Sequence, residues 1–235
     1  MLTYTEFLSE YQQFIASLPG TVNLPQGYMQ NFRGWDYYQI YKQIHGDRKG
    51  ILLDTGALHT FGCLYWSQFA EVGVAIDNYY WAERSYSKGL MTPFEWERVI
   101  DYLSELLIRG SIHYTDDLRK HSWVGGQQDD LQHLSFDDDN FSKVLCISTI
   151  EHVLDDAQAM REMYRVLGPG GKLLLTTEYH ETNGKPYSET DGSYYRVYTK
   201  DTLAQLLDGY PVTVIEYDEP REPFTTAFVC IEKPG

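Results

Sequence analysis

Two windows near the N-terminus place apolar side chains three and four residues apart. Phe7, Tyr11, Phe14, Ile15 and Leu18 share one face, as do Tyr37, Ile40, Tyr41 and Ile44, and this spacing predicts helices over 5–18 and 35–45. The LPGTVNLPQG segment between them is a loop by its proline and glycine content. The pattern then changes. GILLD (50–54), VGVAID (72–77), KVLCIS (143–148) and KLLLTT (172–177) are short apolar runs without alternation, as expected of strands buried on both faces in a parallel sheet. A weaker strand signal lies in His121 to Gly126. Thr92-Pro93-Phe94-Glu95 combines an N-cap, a first-turn proline and a capping-box glutamate. It opens a helix whose stripe runs from Trp96 to Leu107 and stops near Gly110. Met160, Met163, Tyr164 and Leu167 line a helix over 156–167, with Gly168 expected to terminate it. A further helix starts near Thr199. VTVIEY (212–217) and TAFVCIEK (226–233) then form a closing antiparallel pair joined by DEPREPFT. Helices and strands alternate throughout, so the fold class is α/β.

Composition narrows the partners. With 19 basic and 34 acidic residues the chain carries a net charge of −15. No Lys/Arg run concentrates positive charge, and a nucleic-acid backbone would be repelled. Nothing approaches 18 consecutive apolar residues, so no membrane span is expected, and MLTYTEFLSEYQQF lacks the basic-then-apolar order of a secretory signal. Cys63, Cys146 and Cys230 are scattered among apolar neighbours, which suits reduced thiols of a cytoplasmic protein and not a zinc set. The 20 tyrosines are the compositional outlier. They read either as filler between core and surface or as an aromatic lining over a small organic ligand.

Polar residues gather where strands end, the place where open α/β sheets bind ligands. Asp54-Thr55-Gly56 closes the first strand. Asp77 closes the second, about 20 residues beyond Gly56, the arrangement by which dinucleotide folds hold ribose hydroxyls. Asp130 stands just before Leu131 and the Leu134-Ser135-Phe136 run, where a purine could meet both a carboxylate and apolar groups. Gly168-Pro-Gly-Gly-Lys172 follows a helix and precedes a strand, the reverse of a phosphate loop, and so reads as a turn. No GxGxxG, GxSxG or HExxH is present. Asp137-Asp138-Asp139 reads as a solvated loop, and no metal is expected.

The ordered run Asp130-Leu-Gln-His-Leu-Ser-Phe136, Asn140-Phe141, Ser148-Thr-Ile-Glu-His-Val153 and Arg165-Val-Leu-Gly-Pro-Gly-Gly171 resembles class I methyltransferases dependent on S-adenosylmethionine (SAM). The likeness is to the small-molecule, UbiE-like group. It implies a Rossmann-like, seven-stranded, mostly parallel sheet with an antiparallel last strand and helices on both faces. It also implies one domain over 1–235, with a helical cap at 1–48 and a helical insertion or lid at 80–120. By position it assigns Asp54, Gly56 and Ala57 to the methionine end of SAM, and Asp77 and Asn78 to the ribose. Asp130 and Leu131 fall to the adenine, and Ser148 to the cofactor-facing end of the fourth strand. His152 is either a base or a structural histidine at a strand–helix junction, and Glu151 could hydrogen-bond the loop. Tyr37, Tyr179 and His180 are candidate substrate contacts. The implied function is methyl transfer to an oxygen or nitrogen of a small metabolite, with S-adenosylhomocysteine (SAH) as product and no nucleic acid or membrane partner. Homo-oligomerisation, a non-catalytic partner role and non-methylating SAM chemistry stay open. The chain departs from the group's pattern at Leu58 and Thr60, where glycines are usual, and at Ser142. Leu58 either reshapes the first loop or marks a lost cofactor site.

Overall fold

The computed structural model describes residues 1–16, 34–57, 62–78, 123–188, 195–220 and 225–235. Leu58, Thr60, the helix expected from Thr92 and the whole 80–120 insertion lie outside them. The chain divides into two compact units, Met1–Gln128 and Asp129–Gly235.

The first unit holds α1 (Tyr4–Ala16), α2 (Gly34–Ile44), β1 (Ile51–Thr55), α3 (Gly62–Trp66), β2 (Val72–Asp77) and β3 (Trp123–Gln128). A 3-10 turn, Ser67–Phe69, follows α3. Helix α1 starts on a reciprocal cap: Thr3 N–H donates to Glu6 Oε2 at 2.8 Å, and Glu6 N–H donates back to Thr3 Oγ1 at 3.4 Å. The strands pair in parallel, with Asp54 opposite Ala75 and Asp77 opposite Gln128. The core is aromatic. Phe7 and Tyr11 of α1, Tyr37 and Tyr41 of α2, and Tyr65, Trp66 and Phe69 are all buried. Their rings meet mostly edge to face, as between Tyr11 and Tyr65 at 4.8 Å and Tyr37 and Trp66 at 5.1 Å. The helical periodicity of the sequence therefore marks the faces that enter this core.

The second unit runs β4 (Phe141–Ile147), a 3-10 turn (Ile150–His152), α4 (Asp156–Val166), β5 (Leu167–Tyr179), α5 (Lys200–Leu206), β6 (Val212–Tyr217) and β7 (Thr225–Glu232). Asp155 caps α4 by accepting from Gln158 N–H, and Thr199 forms a capping box with Thr202 on α5. β4 and β5 are parallel, while β7 runs antiparallel to both β5 and β6. β7 is buried along seven of its eight residues because a strand flanks it on either side, whereas β6 alternates half-buried and exposed positions as an edge does. Seven strands in a mostly parallel sheet with the last one reversed is the fold class the sequence leads one to expect.

One boundary differs from the sequence reading. Gly168 does not terminate α4: the helix stops at Val166, and Leu167 is already extended and pairs with Phe141. The left-handed residue is Gly170, at φ +73°. Gly168 and Gly171 instead permit close packing. A Cβ on Gly171 would meet Leu167 Cδ1 at 2.7 Å and Gly168 O at 2.8 Å, and one on Gly168 would meet Asp139 O at 3.1 Å.

Arg165, in the last turn of α4, fixes the loop before β4. Its Nη1 donates to Phe136 O and Asp138 Oδ1, both at 2.8 Å, and its Nη2 donates to Leu134 O at 3.0 Å and Glu162 Oε2 at 2.8 Å. Glu162 completes the ring by accepting from Leu134 N–H at 2.9 Å. Only a planar, five-donor group can serve this fan of acceptors. Arg165→Leu is expected to cost about 2–4 kcal/mol in urea unfolding, through stranded carbonyls and an unpaired Glu162. Arg165→Lys should recover less than half of that, and full recovery by lysine would show that charge alone holds the loop.

Candidate functional site

In the first unit the candidate residues sit at the C-terminal ends of β1 and β2. Asp54 is the fourth residue of β1 and is buried, with Oδ2 lacking any hydrogen-bond partner. Burial is the main reason its pKa rises to about 8, and the Asp77 carboxylate adds to the effect. Asp54 is therefore largely protonated at neutral pH. Gly56 follows at φ +66°, a left-handed conformation that turns the chain away from the strand and that L side chains avoid. Ala57 is buried behind it. Asp77 ends β2 half-buried, and Asn78 beside it is exposed, its carbonyl accepting from Gln128 Nε2 at 3.4 Å. The structure thus brings together Asp54, the Gly56 turn and Asp77, as the spacing implied. Tyr37 is fully buried on α2 between Tyr11 and Trp66.

In the second unit Asp130 is half-buried, and its Oδ1 accepts from the backbone and side chain of Gln132 at 2.9 and 3.3 Å. Its neighbour Asp129 does the structural work of the loop, accepting from both the N–H and the hydroxyl of Ser135. Leu131 is buried. Ser148, just past β4, is held at φ +43° while its N–H donates to Thr176 O at 2.9 Å and Thr176 Oγ1 at 3.1 Å. A non-glycine residue in that region is strained by about 1 kcal/mol, and such strain gathers at functional strand ends. His152 is half-buried in the 3-10 turn, its ring 6.1 Å from that of Tyr195.

Tyr179 ends β5 with its ring 4.5 Å from Tyr217, and burial raises its pKa. His180 Nδ1 accepts from the N–H groups of Thr182 and Asn183 at 3.1 and 2.9 Å, so that nitrogen shapes the turn after β5. Two further residues shape this unit, of which only Arg196 escaped the sequence reading. Glu151 is fully buried, with Oε2 accepting from Thr177 Oγ1 at 3.1 Å and Oε1 unpartnered. Arg196 pairs with Asp156, and its Nη2 donates to Val153 O and Leu154 O, fixing the turn that carries His152. The Glu-His pair flagged the turn, but nothing in the sequence pointed to an arginine more than 40 residues away.

A family model described as a methyltransferase domain matches residues 100–175. The ubiquinone/menaquinone biosynthesis C-methyltransferase UbiE of Idiomarina loihiensis is 33% identical over 94 residues, which is 39% of this chain and 36% of that protein. Among solved structures, a putative methyltransferase from Bacillus halodurans superposes with a TM-score of 0.59 at 14% identity, covering 86% of this chain and 100% of its own. The [4+2]-cyclase SpnF superposes at 0.61 with 16% identity, covering 86% of this chain and 82% of its own. This is the class I methyltransferase fold. The resemblance read from Asp130 to Gly171 falls wholly inside the family match. The chain spans little more than a third of the length of the curated relatives at most. Among the described residues no His/Cys/Asp/Glu group could hold a metal ion, and no helix is long and apolar enough to cross a membrane.

The sign of the Asp54 shift sets a pH dependence. Its folded-state pKa of about 8 lies above the unfolded value, so the native state binds the extra proton. Stability should be fullest below about pH 4 and decline by up to about 1.4 kcal/mol per pH unit until roughly pH 8. Asp54→Asn is expected to flatten that part of the curve, measured as urea midpoints across the range. An unchanged slope would mean that Asp54 is ionised in the fold.

Proposed function

We propose that this chain transfers a methyl group from SAM to a small organic molecule. The observation that carries this reading is the strand-end arrangement of the first unit, where the Gly56 turn and Asp77 stand at neighbouring parallel strand ends beside buried Asp54. Asp77 is suited to accept from two ribose hydroxyls, and the turn at Gly56 lets backbone amides approach the methionine end closely. Asp130 and Leu131 would serve the adenine, with Ser148 at the cofactor-facing end of β4. When bound, SAM supplies an electrophilic methyl group, and the chain's task is alignment and exclusion of water. Cys63, Cys146 and Cys230 are buried thiols outside any disulfide, which fits a reducing cytoplasmic setting.

The acceptor atom is oxygen or nitrogen in the sequence reading, and the printed role of the UbiE relatives adds carbon to the choice. A base is then needed only where the acceptor must lose a proton, and His152 is the candidate, oriented by the Arg196-held turn. The [4+2]-cyclase on the same fold favours one alternative, retention of the cofactor site for chemistry without methyl transfer.

Calorimetric titration with SAM and SAH tests the cofactor reading. Both should bind the wild type, and Asp77→Ala should weaken each at least tenfold, about 1.4 kcal/mol. Absence of binding at millimolar ligand would overturn the reading. With any acceptor that supports SAH release, His152→Ala is expected to lower kcat roughly 100-fold or more and to remove a limb of its pH profile. An unaltered kcat and profile would assign His152 a packing role.

A further inference from the structure

Arg196 fixes the backbone of the turn that carries His152, but a fixed backbone does not aim an imidazole. The half-buried His152 side chain still has two torsions to settle. Misplacement of a reacting group by about 1 Å costs on the order of 100-fold in rate, so the direction of the ring matters. One ring meets it. The Tyr195 centroid lies 6.1 Å from that of His152 with the planes 63° apart, an edge-to-face contact. Tyr195 is itself held. The Lys185 ammonium stands 4.5 Å from the Tyr195 ring centroid, within cation–π range, and Lys185 exchanges two backbone hydrogen bonds of 2.8 Å with Val197. The next residue ties the chain to the turn, since Arg196 N–H donates to Glu151 O at 2.9 Å. Tyr198 N–H donates to Glu178 O at 3.0 Å, and its hydroxyl donates to Asp156 Oδ2 at 2.7 Å. Three consecutive N–H groups, from Arg196 to Tyr198, are therefore bonded to the turn, to the loop after β5 and to the end of β5.

We propose that Tyr195 is a positioning residue that sets the direction of the His152 imidazole, with Lys185 fixing the Tyr195 ring. Because it aims a base, this role rests on the methyl-transfer reading. The division of labour with Arg196 is physical. Hydrogen bonds from the Arg196 guanidinium to Val153 O and Leu154 O act on peptide groups, and so they decide where the turn runs. A ring contact acts on the side chain alone and decides where its nitrogens point. The aromatic ring of Tyr195 supplies that contact, and its hydroxyl is not required. Lys185 and Tyr195 both lie beyond residues 100–175, so the family match assigns neither of them. The segment from Tyr195 to Tyr198 thus joins the candidate base to the strand end and loop that carry Tyr179 and His180.

The rotamer of His152, measured by NMR in the full chain isotope-labelled at histidine, tests the proposal. The three-bond coupling between its backbone nitrogen and Cγ reports the first side-chain torsion, and its signals are assigned by their loss in His152→Ala. The wild type should show the coupling of a single rotamer. Tyr195→Leu should move it towards the rotamer average, and Tyr195→Phe should restore it. SAH affinity should stay within about twofold in both variants. With an acceptor that supports SAH release, Tyr195→Leu should lower kcat about tenfold at unchanged KM for SAM, and Tyr195→Phe should recover most of the rate. An averaged coupling in the wild type, or a wild-type coupling in Tyr195→Leu, would overturn the proposal. So would equal losses in the leucine and phenylalanine variants, which would make the hydroxyl the acting group. A loss of SAH affinity in Tyr195→Leu would do the same, by making Tyr195 a general support of the fold. Failure of SAH to bind the wild type is a separate result: it would overturn the methyl-transfer reading, and with it the base that Tyr195 aims, whatever the coupling shows.

Discussion

One guanidinium governs the second unit. Arg165 stands at the end of α4 and satisfies carbonyls at Leu134 and Phe136 while pairing with Asp138 and Glu162. These contacts turn an acidic, otherwise solvated stretch into a fixed loop leading into β4. The positions of Asp130 and Leu131 follow from that loop, since Asp129 and Gln132 close its other end. Lys233 adds a second clamp from the far end of the chain, donating to Asp139 Oδ1 and the carbonyls of Tyr164 and Leu167. In a strongly acidic chain, a few well-placed cations therefore decide which loops are ordered.

The first unit is organised by the opposite means. Its polar groups are taken out of water by an aromatic core, and the consequences appear as a protonated Asp54 and orphaned donors and acceptors. Such a core is costly unless its polar atoms are completed by something else. Both units leave buried polar atoms incomplete, among them Asp54 Oδ2 and Trp66 Nε1 in the first and Glu151 Oε1 in the second. Of the two readings drawn from the tyrosine-rich composition, the buried rings of this unit fit the core reading.

Much of the fold was legible in local pattern because burial dictates it directly. Unalternated apolar runs became β1, β2, β4 and the central stretch of β5, and the alternation in VTVIEY matches the edge exposure of β6. Even the faint signal at 121–126 corresponds to β3, displaced by two residues. The miss at Gly168 has a physical reason. Glycine after a helix is ordinarily a left-handed cap, but here the chain becomes extended at once, and the glycines permit close backbone contact with Asp139 and Ser142. Sequence registers that glycine is required; only packing shows whether conformation or space requires it.

The candidate site divides in the same way. Spacing along the chain determined Asp54, Gly56 and Asp77, because parallel strands of similar length end at a common edge and the intervening crossover fixes their separation. Motif order likewise determined the run from Asp130 to Gly171. Tertiary structure alone decided the rest: Glu151 buried with a free oxygen, Arg196 holding its turn, and the Tyr11 hydroxyl beside Tyr37 and Asp54. These depend on residues tens of positions apart meeting in a low-dielectric interior. Local pattern encodes which face is buried, not which polar atoms that burial leaves unpaired.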